Sequence, residues 1–311
     1  MDDWQKEIEL ARDRLDGWVV RTPVMESRTL WEGGPVQLKL EQMQHTGSFK
    51  ARGAFNNLLT REVPKAGIVA ASGGNHGAAA AFAARRLGHP ARIYVPEIAG
   101  PAKIDLIRRT GADLQVVSGT YAEALEAAMA HETRTGAIQL HAYDARETVV
   151  GQGTVFSEWE AQLADFDTVL IAVGGGGLIA GALAWFGGRR KVVAVEPERA
   201  PTLSRALEAG EPVDVEVGGI AANALGAKRI GQICFDLASL RKPTSVLVTD
   251  EAIRGAQVWL WQETRQHVEP AGAAALAALI SGAYQPEADE RIACLICGAN
   301  PAPDPFADTT D

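Results

Sequence analysis

Cysteine is scarce in this chain, with three in 311 residues. So few cannot staple a fold of this length, and they point to a reducing compartment, the cytoplasm, where thiols stay unpaired. A surplus of positive charge is missing as well. The 30 Lys and Arg are outnumbered by 39 Asp and Glu, for a formal net charge of -9. No nucleic-acid partner is expected, because such partners call for a basic face. No apolar run is long enough to span a membrane. The first residues, Met1-Asp2-Asp3-Trp4-Gln5-Lys6-Glu7, lack the basic and apolar regions of a signal peptide. Short-period repeats and low-complexity tracts are absent, apart from a Pro/Asp-rich tail from Pro301 that is expected to fray. What remains is ordinary globular composition, 47% hydrophobic and 22% charged, in a chain long enough for two compact domains.

Strand-like and helix-like runs alternate along it. Val36, Leu38 and Leu40 alternate with polar residues and read as a strand. Residues 67–71, 91–95, 113–117 and 137–140 read as strands, interleaved with helices at 75–87, 101–110 and 121–133. Later strands are expected at 168–173, 191–196, 245–248 and 291–297, separated by Ala-rich helices suited to close packing on a sheet. This alternation predicts an α/β protein with parallel sheets.

Three places carry chemistry. The first is Lys50, in the run Thr46-Gly47-Ser48-Phe49-Lys50-Ala51-Arg52-Gly53-Ala54, near the start of a helix and among apolar neighbours. A partly desolvated lysine has a lowered pKa and becomes a nucleophilic amine able to form a Schiff base; a surface lysine on a helix is the plainer alternative. The second is Ser72-Gly73-Gly74-Asn75-His76-Gly77, directly after a strand and opening a helix. Backbone N–H groups at such a junction favour an anion, a carboxylate or a phosphate. A Gly-rich turn capped by Asn75 is the alternative. The third is Gly174-Gly175-Gly176-Gly177-Leu178, after a strand and before a helix, which suits a phosphate cradle. It also imitates a dinucleotide fingerprint, Gly175-x-Gly177-x-x-Ala180, with Glu196 ending the next strand. That pattern leaves an NAD-dependent dehydrogenase open, although it accounts for neither Lys50 nor the second loop. Cys294 and Cys297 have a C-x-x-C spacing, but on a buried strand such residues face opposite sides and no second pair completes a zinc site.

Taken in order, these pieces resemble the fold-type II pyridoxal-phosphate enzymes, and among them the serine/threonine dehydratases (threonine ammonia-lyases) and their relative serine racemase. The resemblance spans nearly the whole chain. It rests on the Lys50 run, the Ser72 to Gly77 loop, His141-x-Tyr143-Asp144 followed by Gly151-Gln152-Gly153-Thr154, the tetraglycine, Glu196-Pro197, Glu269-Pro270-x-Gly272-Ala273, and Cys297-Gly298-Ala299-Asn300. It implies a two-domain fold like that of the tryptophan synthase β chain, with twisted, mostly parallel sheets and helices on both faces. A large cofactor-binding domain would comprise 1–61 and 141–311, and a small mobile domain 62–140, with the site in the cleft between them.

The resemblance also implies roles. Lys50 would hold pyridoxal 5'-phosphate as a Schiff base and serve as base at the substrate α-carbon. Phe49 would pack beside the ring, Asn75 would bond its phenolic oxygen, and Gly174, Gly175, Gly176, Gly177 and Leu178 would bind its phosphate. Cys297 would face the pyridine nitrogen. The amides of Ser72, Gly73, Gly74, Asn75, His76 and Gly77 would hold the substrate carboxylate, and residues 219–223 would line the pocket. The implied reaction is β-elimination from L-threonine, L-serine or a related 3-hydroxy amino acid, giving a 2-oxo acid and ammonia. A homodimer is expected.

Two departures favour elimination over racemisation. Serine racemase carries a second serine where this chain has Gly73, and Asn where it has Tyr143. Glu196 matches a divalent-cation ligand of some relatives, but its companion, Asp in those relatives, is Thr202 here; the alternative is a strand-end carboxylate at the surface. The chain ends soon after Asn300, so no regulatory domain of the biosynthetic threonine deaminases is expected. Arg52, His45 and Arg146 read as solvated or salt-bridged residues. A β-replacing synthase and a non-catalytic pyridoxal-phosphate-binding protein remain as rivals.

Overall fold

In a computed structural model that describes residues 3–163 and 165–301, the strands fall into two sheets. Beyond Pro301, the tail expected to fray lies outside the described residues. The chain begins with α1 (Asp3–Leu15), then β1 (Val24–Ser27) and β2 (Val36–Leu40), and α2 starts at the lysine of interest (Lys50–Leu59). An uninterrupted α/β stretch follows: β3 (Ile68–Ala71), α3 (Asn75–Arg86), β4 (Ala91–Pro96), α4 (Pro101–Arg108), β5 (Asp113–Val117), α5 (Tyr121–Thr135) and β6 (Ile138–Gln139). After α6 (Arg146–Gln162) come β7 (Thr168–Ala172), α7 (Gly177–Phe186), β8 (Lys191–Pro197), α8 (Thr202–Ala209), α9 (Ala222–Leu225) and α10 (Gln232–Arg241). The described chain closes with β9 (Thr244–Val248), α11 (Asp250–Thr264), α12 (Pro270–Ile280) and β10 (Ile292–Ile296).

The larger sheet has the order β1-β2-β10-β7-β8-β9 and the smaller β5-β4-β3-β6. Among the described strands only β1, at an edge, runs antiparallel to its neighbour; the other pairs are parallel. Central strands of a parallel sheet are covered on both faces and read as continuous apolar runs. Both β7 and β10 fit that rule, with every residue buried, whereas edge strand β5 is half-exposed throughout. The helix α12 is apolar all round and almost wholly buried, wedged between the sheet and α11. Its alanines let it approach β7 to β10 closely.

Helix α2 ties the two halves together. Its Ala51, Ala54, Phe55 and Leu58 join the core of the smaller sheet. On another side it crosses α6 at a glycine pair: a methyl on Gly151 would sit 2.7 Å from the Cα of Gly53. Behind that crossing lies a buried ion cluster. Arg52, 1% exposed, forks onto Glu41 (2.7 and 2.9 Å) and onto Glu158 (3.0 Å twice). Lys39, also buried, donates to Glu158 at 2.5 Å and to the Thr22 carbonyl at 2.8 Å. Two cations thus balance two carboxylates across β2, α2 and α6. Arg146 is salt-bridged to Glu7 and its guanidinium lies over the Trp4 ring. His45 packs its ring on Phe82 at 4.8 Å.

Candidate active site

Parallel strands deliver their following loops to one edge of the sheet. The ends of β2, β10 and β7 therefore bring the turn before Lys50, the segment after Ile296 and the tetraglycine loop together. The turn before Lys50 is sharp: Thr46 and Gly47 both take left-handed backbone, with φ of 60° and 73°. It is stitched to the segment beyond β10, since Phe49 N–H donates to the Cys297 carbonyl (3.2 Å) and Ala299 N–H to the Gly47 carbonyl (2.9 Å). Lys50 then opens α2 with its Nζ 2.8 Å from the Ala142 carbonyl and 5.0 Å from the centroid of the Phe49 ring. Burial pulls this amine down to about 8, with Cys297 acting in the opposite sense. The Cys297 thiol donates to the Ala271 carbonyl at 3.3 Å, and burial pushes its pKa up, so it stays a neutral thiol.

In the tetraglycine loop the carbonyls are turned to the protein. Gly174 accepts the Thr202 hydroxyl (2.7 Å), Gly175 the Gly231 N–H (3.1 Å) and Gly176 the Ala180 N–H (2.8 Å). The first-turn amides of α7 have no acceptor within their own helix. Side chains have no place here. A Cβ on Gly175 would overlap the Tyr143 ring, and one on Gly177 would lie 2.8 Å from both the Cα and the carbonyl oxygen of Tyr143. The motif around Tyr143 supports this wall. His141 Nδ1 accepts the Asp144 N–H at 2.9 Å, and the Asp144 carboxylate caps α10 through Gln232 and Ile233 N–H, both at 3.0 Å.

The 72–77 loop arrives from the end of β3. Ser72 Oγ accepts the Gly74 N–H at 3.3 Å, and a Cβ on Gly77 would overlap the Ser72 carbonyl. His76 is structural in its side chain: Nε2 meets the Leu140 carbonyl at 2.8 Å, and burial with the nearby Lys50 charge keeps the ring neutral, at about 3. Across from Gly74 stands the carbonyl of Asn223, 3.6 Å from where a Cβ would be. Lys103, on α4, reaches over to the Asn223 carboxamide at 2.7 Å. The structure thus gathers Lys50, Phe49, Cys297 and Asn75, since Asn75 joins Asn300 of the post-β10 segment at 2.6 Å.

Glu196 departs from expectation. It is fully buried, which corrects the surface reading, and its carboxylate accepts Leu203 N–H (2.7 Å) and Ser204 N–H (2.8 Å) beside the Thr202 hydroxyl (3.1 Å). Burial pushes this carboxyl up to about 7 against those hydrogen bonds. Among the described residues no group of three or more His, Cys, Asp or Glu stands together to hold a metal ion. These residues do not fit a cation. A carboxylate buried completely against the start of α8 is also out of reach of the ribose of a dinucleotide, which weighs against an NAD reading. The Ala142 carbonyl and Lys103 carry no signature in the sequence, whereas Glu269 and Asn300 stand in motifs that assign them no role and meet Asn75 only in the fold.

The residues fit pyridoxal phosphate. A depressed amine, a side-chain-free helix N-terminus and a neutral thiol match its aldehyde, phosphate and pyridine ring. Two buried hydroxyls on the lysine turn, Thr46 Oγ1 and Ser48 Oγ, have no partner within the protein, which marks the turn as a place made for more than packing.

A family model described as "Pyridoxal-phosphate dependent enzyme" matches residues 15–298. The chain is 36% identical to the phenylserine dehydratase of Ralstonia pickettii, over 93% of this chain and 90% of that one. It is 35% identical to the L-threonine ammonia-lyase of Thermotoga maritima, over 95% of this chain and 75% of that one. Among solved structures, maize serine racemase superposes with a TM-score of 0.89 at 29% identity, covering 95% of this chain and 93% of that one.

Proposed function

The chain belongs to the pyridoxal-phosphate-dependent enzymes, and from that premise we propose that it deaminates L-threonine, L-serine or a related 3-hydroxy amino acid: the β-hydroxyl leaves as water, hydrolysis of the resulting imine takes a water back, and the net products are a 2-oxo acid and ammonia. The observation that carries this reading is one site that gathers the Lys50 amine, 2.8 Å from the Ala142 carbonyl, the Phe49 ring, the Cys297 thiol turned onto the Ala271 carbonyl and the glycine loop before α7. Relatives named phenylserine dehydratase and L-threonine ammonia-lyase support it.

Lys50 would hold the cofactor through its amine, the 174–178 amides its phosphate, Asn75 its ring oxygen, Phe49 one flank of its ring, and Cys297 its pyridine nitrogen. Bound there, pyridoxal phosphate supplies the electron sink that makes an amino-acid α-proton removable. The amides of the 72–77 loop, at the N-terminus of α3, receive the substrate carboxylate. Lys50 then takes the α-proton; an amine near 8 is a base matched to neutral solution. Cys297, a buried neutral thiol, would place no negative charge beside the ring nitrogen, a setting that would favour loss of the β-hydroxyl over transamination. The residues from 62 to 140 would act as a small domain that closes over the substrate, with Lys103 to Asn223 as one contact across the cleft.

Elimination is preferred to the racemase alternative because Gly73 offers no side chain to serve the opposite face. A homodimer in a reducing, cytoplasmic compartment completes the reading; Cys234, Cys294 and Cys297 are all buried and unpaired. No helix among the described residues is long and apolar enough to cross a membrane. The test is a panel of threonine, serine, phenylserine and bulkier 3-hydroxy amino acids assayed for ammonia and 2-oxo acid in equal amounts. Cofactor absorbance with no turnover of any member would leave a binding protein instead.

A further inference from the structure

Glu269 stands at the N-terminus of α12, yet its side chain makes no capping bond to that helix. The residue is 4% exposed, and its Oε1 accepts Asn75 Nδ2 at 2.6 Å. On the other side of Asn75, Asn300 Nδ2 donates to Asn75 Oδ1 at 2.6 Å and to the Thr46 carbonyl at 2.8 Å. The polarity of this chain is forced. A backbone carbonyl only accepts, so the nitrogen of Asn300 must face Thr46. That nitrogen also faces Asn75, which must answer with its oxygen. The nitrogen of Asn75 is then left for Glu269, and a flipped amide would oppose donor to donor and oxygen to oxygen at once.

Two glycines leave room for the arrangement. A Cβ on Gly298 would overlap Glu269 Oε1, and one on Gly47 would lie 2.7 Å from Asn300 Oδ1. The charged and titratable groups facing Glu269 are Lys103 from α4 and Cys297 from the end of β10, with the Asn300 backbone N–H beside them. Burial pushes the Glu269 carboxyl up to about 7, against the Asn75 bond, the Lys103 charge and the Asn300 N–H.

We propose that Glu269 is the positioning residue for Asn75: it takes one hydrogen of the amide nitrogen and keeps the second turned to the ring oxygen of pyridoxal phosphate. The proposal rests on the reading of Asn75 as a cofactor contact. Glu269 itself touches neither cofactor nor substrate. It acts by denying Asn75 its flipped orientation, in which an oxygen would meet an oxygen.

The test compares the absorption spectrum of the bound cofactor, and the cofactor Kd of the apoprotein, in wild type, Asn75→Ala, Glu269→Ala, the double variant and Glu269→Gln. Both single alanine variants are expected to shift the cofactor band in the same direction and to raise Kd on the order of threefold to tenfold, the size of one lost hydrogen bond. The double variant is expected to be no worse than the worse single, since both remove one interaction. Glu269→Gln keeps an acceptor oxygen, so its band stays as in wild type and its Kd within about threefold. If Asn75→Ala shifts the band and Glu269→Ala leaves it as in wild type, the proposal is overturned and the functional reading stands. If Asn75→Ala leaves it unchanged, or wild type shows no cofactor band, the reading beneath it falls too. Should Glu269→Ala not fold, Glu269→Met, which keeps the volume and removes both acceptor oxygens, takes its place, and a band and Kd as in wild type overturn the proposal.

Discussion

A methyl carbon on Gly73 would lie 2.7 Å from the Cβ of Ala99 and 3.1 Å from Cγ1 of Val95. The loop that serine racemases furnish with a second serine is therefore walled in here, as well as lacking the hydroxyl. Gly73→Ser is expected to overpack this wall at a cost of about 1–3 kcal/mol and to yield no D-serine. Thermal melting and chiral analysis of serine incubations check it. D-serine production with an unchanged Tm would show that room, which the structure denies, is available.

Gly177 meets backbone, not a movable side chain, since its hypothetical Cβ contacts the Cα and carbonyl oxygen of Tyr143 at 2.8 Å. Gly177→Ala must push the 141–144 segment off the start of α7. Cofactor affinity of the apoprotein is expected to fall tenfold or more, corresponding to about 1.4 kcal/mol or more. Gly255→Ala, in α11 with nothing within 4 Å of the new methyl, is the control; it is expected to stabilise by about 0.4–1 kcal/mol with unchanged affinity.

Lys50 predicts a pH dependence. Only the neutral amine attacks an aldehyde, and burial lowers this amine from 10.5 to about 8. Below that value the reactive fraction grows about tenfold per pH unit; above it, the fraction is saturated. Stopped-flow capture of pyridoxal phosphate by the apoprotein is expected to accelerate up to about pH 8 and then level off. Acceleration continuing to the ordinary lysine value of 10.5 would mean a solvated amine.

Arg52 holds two buried carboxylates. Arg52→Met leaves Glu41 and Glu158 with Lys39 as their one cation in the cluster, and breaking such a buried pair costs about 3–5 kcal/mol. Urea unfolding of the apoprotein measures it. A loss below about 1 kcal/mol would mean that solvent reaches the cluster.

Much of the fold was legible because it is local. The strand expected at 113–117 is β5 residue for residue, and helices opening at Asn75, Pro101 and Tyr121 begin at those residues. Alternation of strand and helix sufficed for a parallel α/β fold. Pairing order was not legible: β10, the last of the described strands, inserts between β2 and β7, a choice made by tertiary packing. The short β1, with only Ser27 buried, leaves little pattern to read. The site divides in the same way. Its glycine loops announce themselves, because only glycine tolerates such close approach. The groups that orient them do not: Asn75 and Glu269 are 194 positions apart, and the partner of Lys50 is a backbone carbonyl at Ala142 that no side-chain pattern encodes. Arg52 read as solvated or paired for the same reason, its second partner lying 106 positions away.

The most direct test of a Schiff-base lysine at position 50 is ammonia release from L-threonine, L-serine and phenylserine by wild type and by Lys50→Ala, followed together with the cofactor absorption band. Wild type is expected to show the band and to release ammonia from at least one of the three, and Lys50→Ala to lose both. A Lys50→Ala protein that keeps the band and the ammonia release would contradict that role.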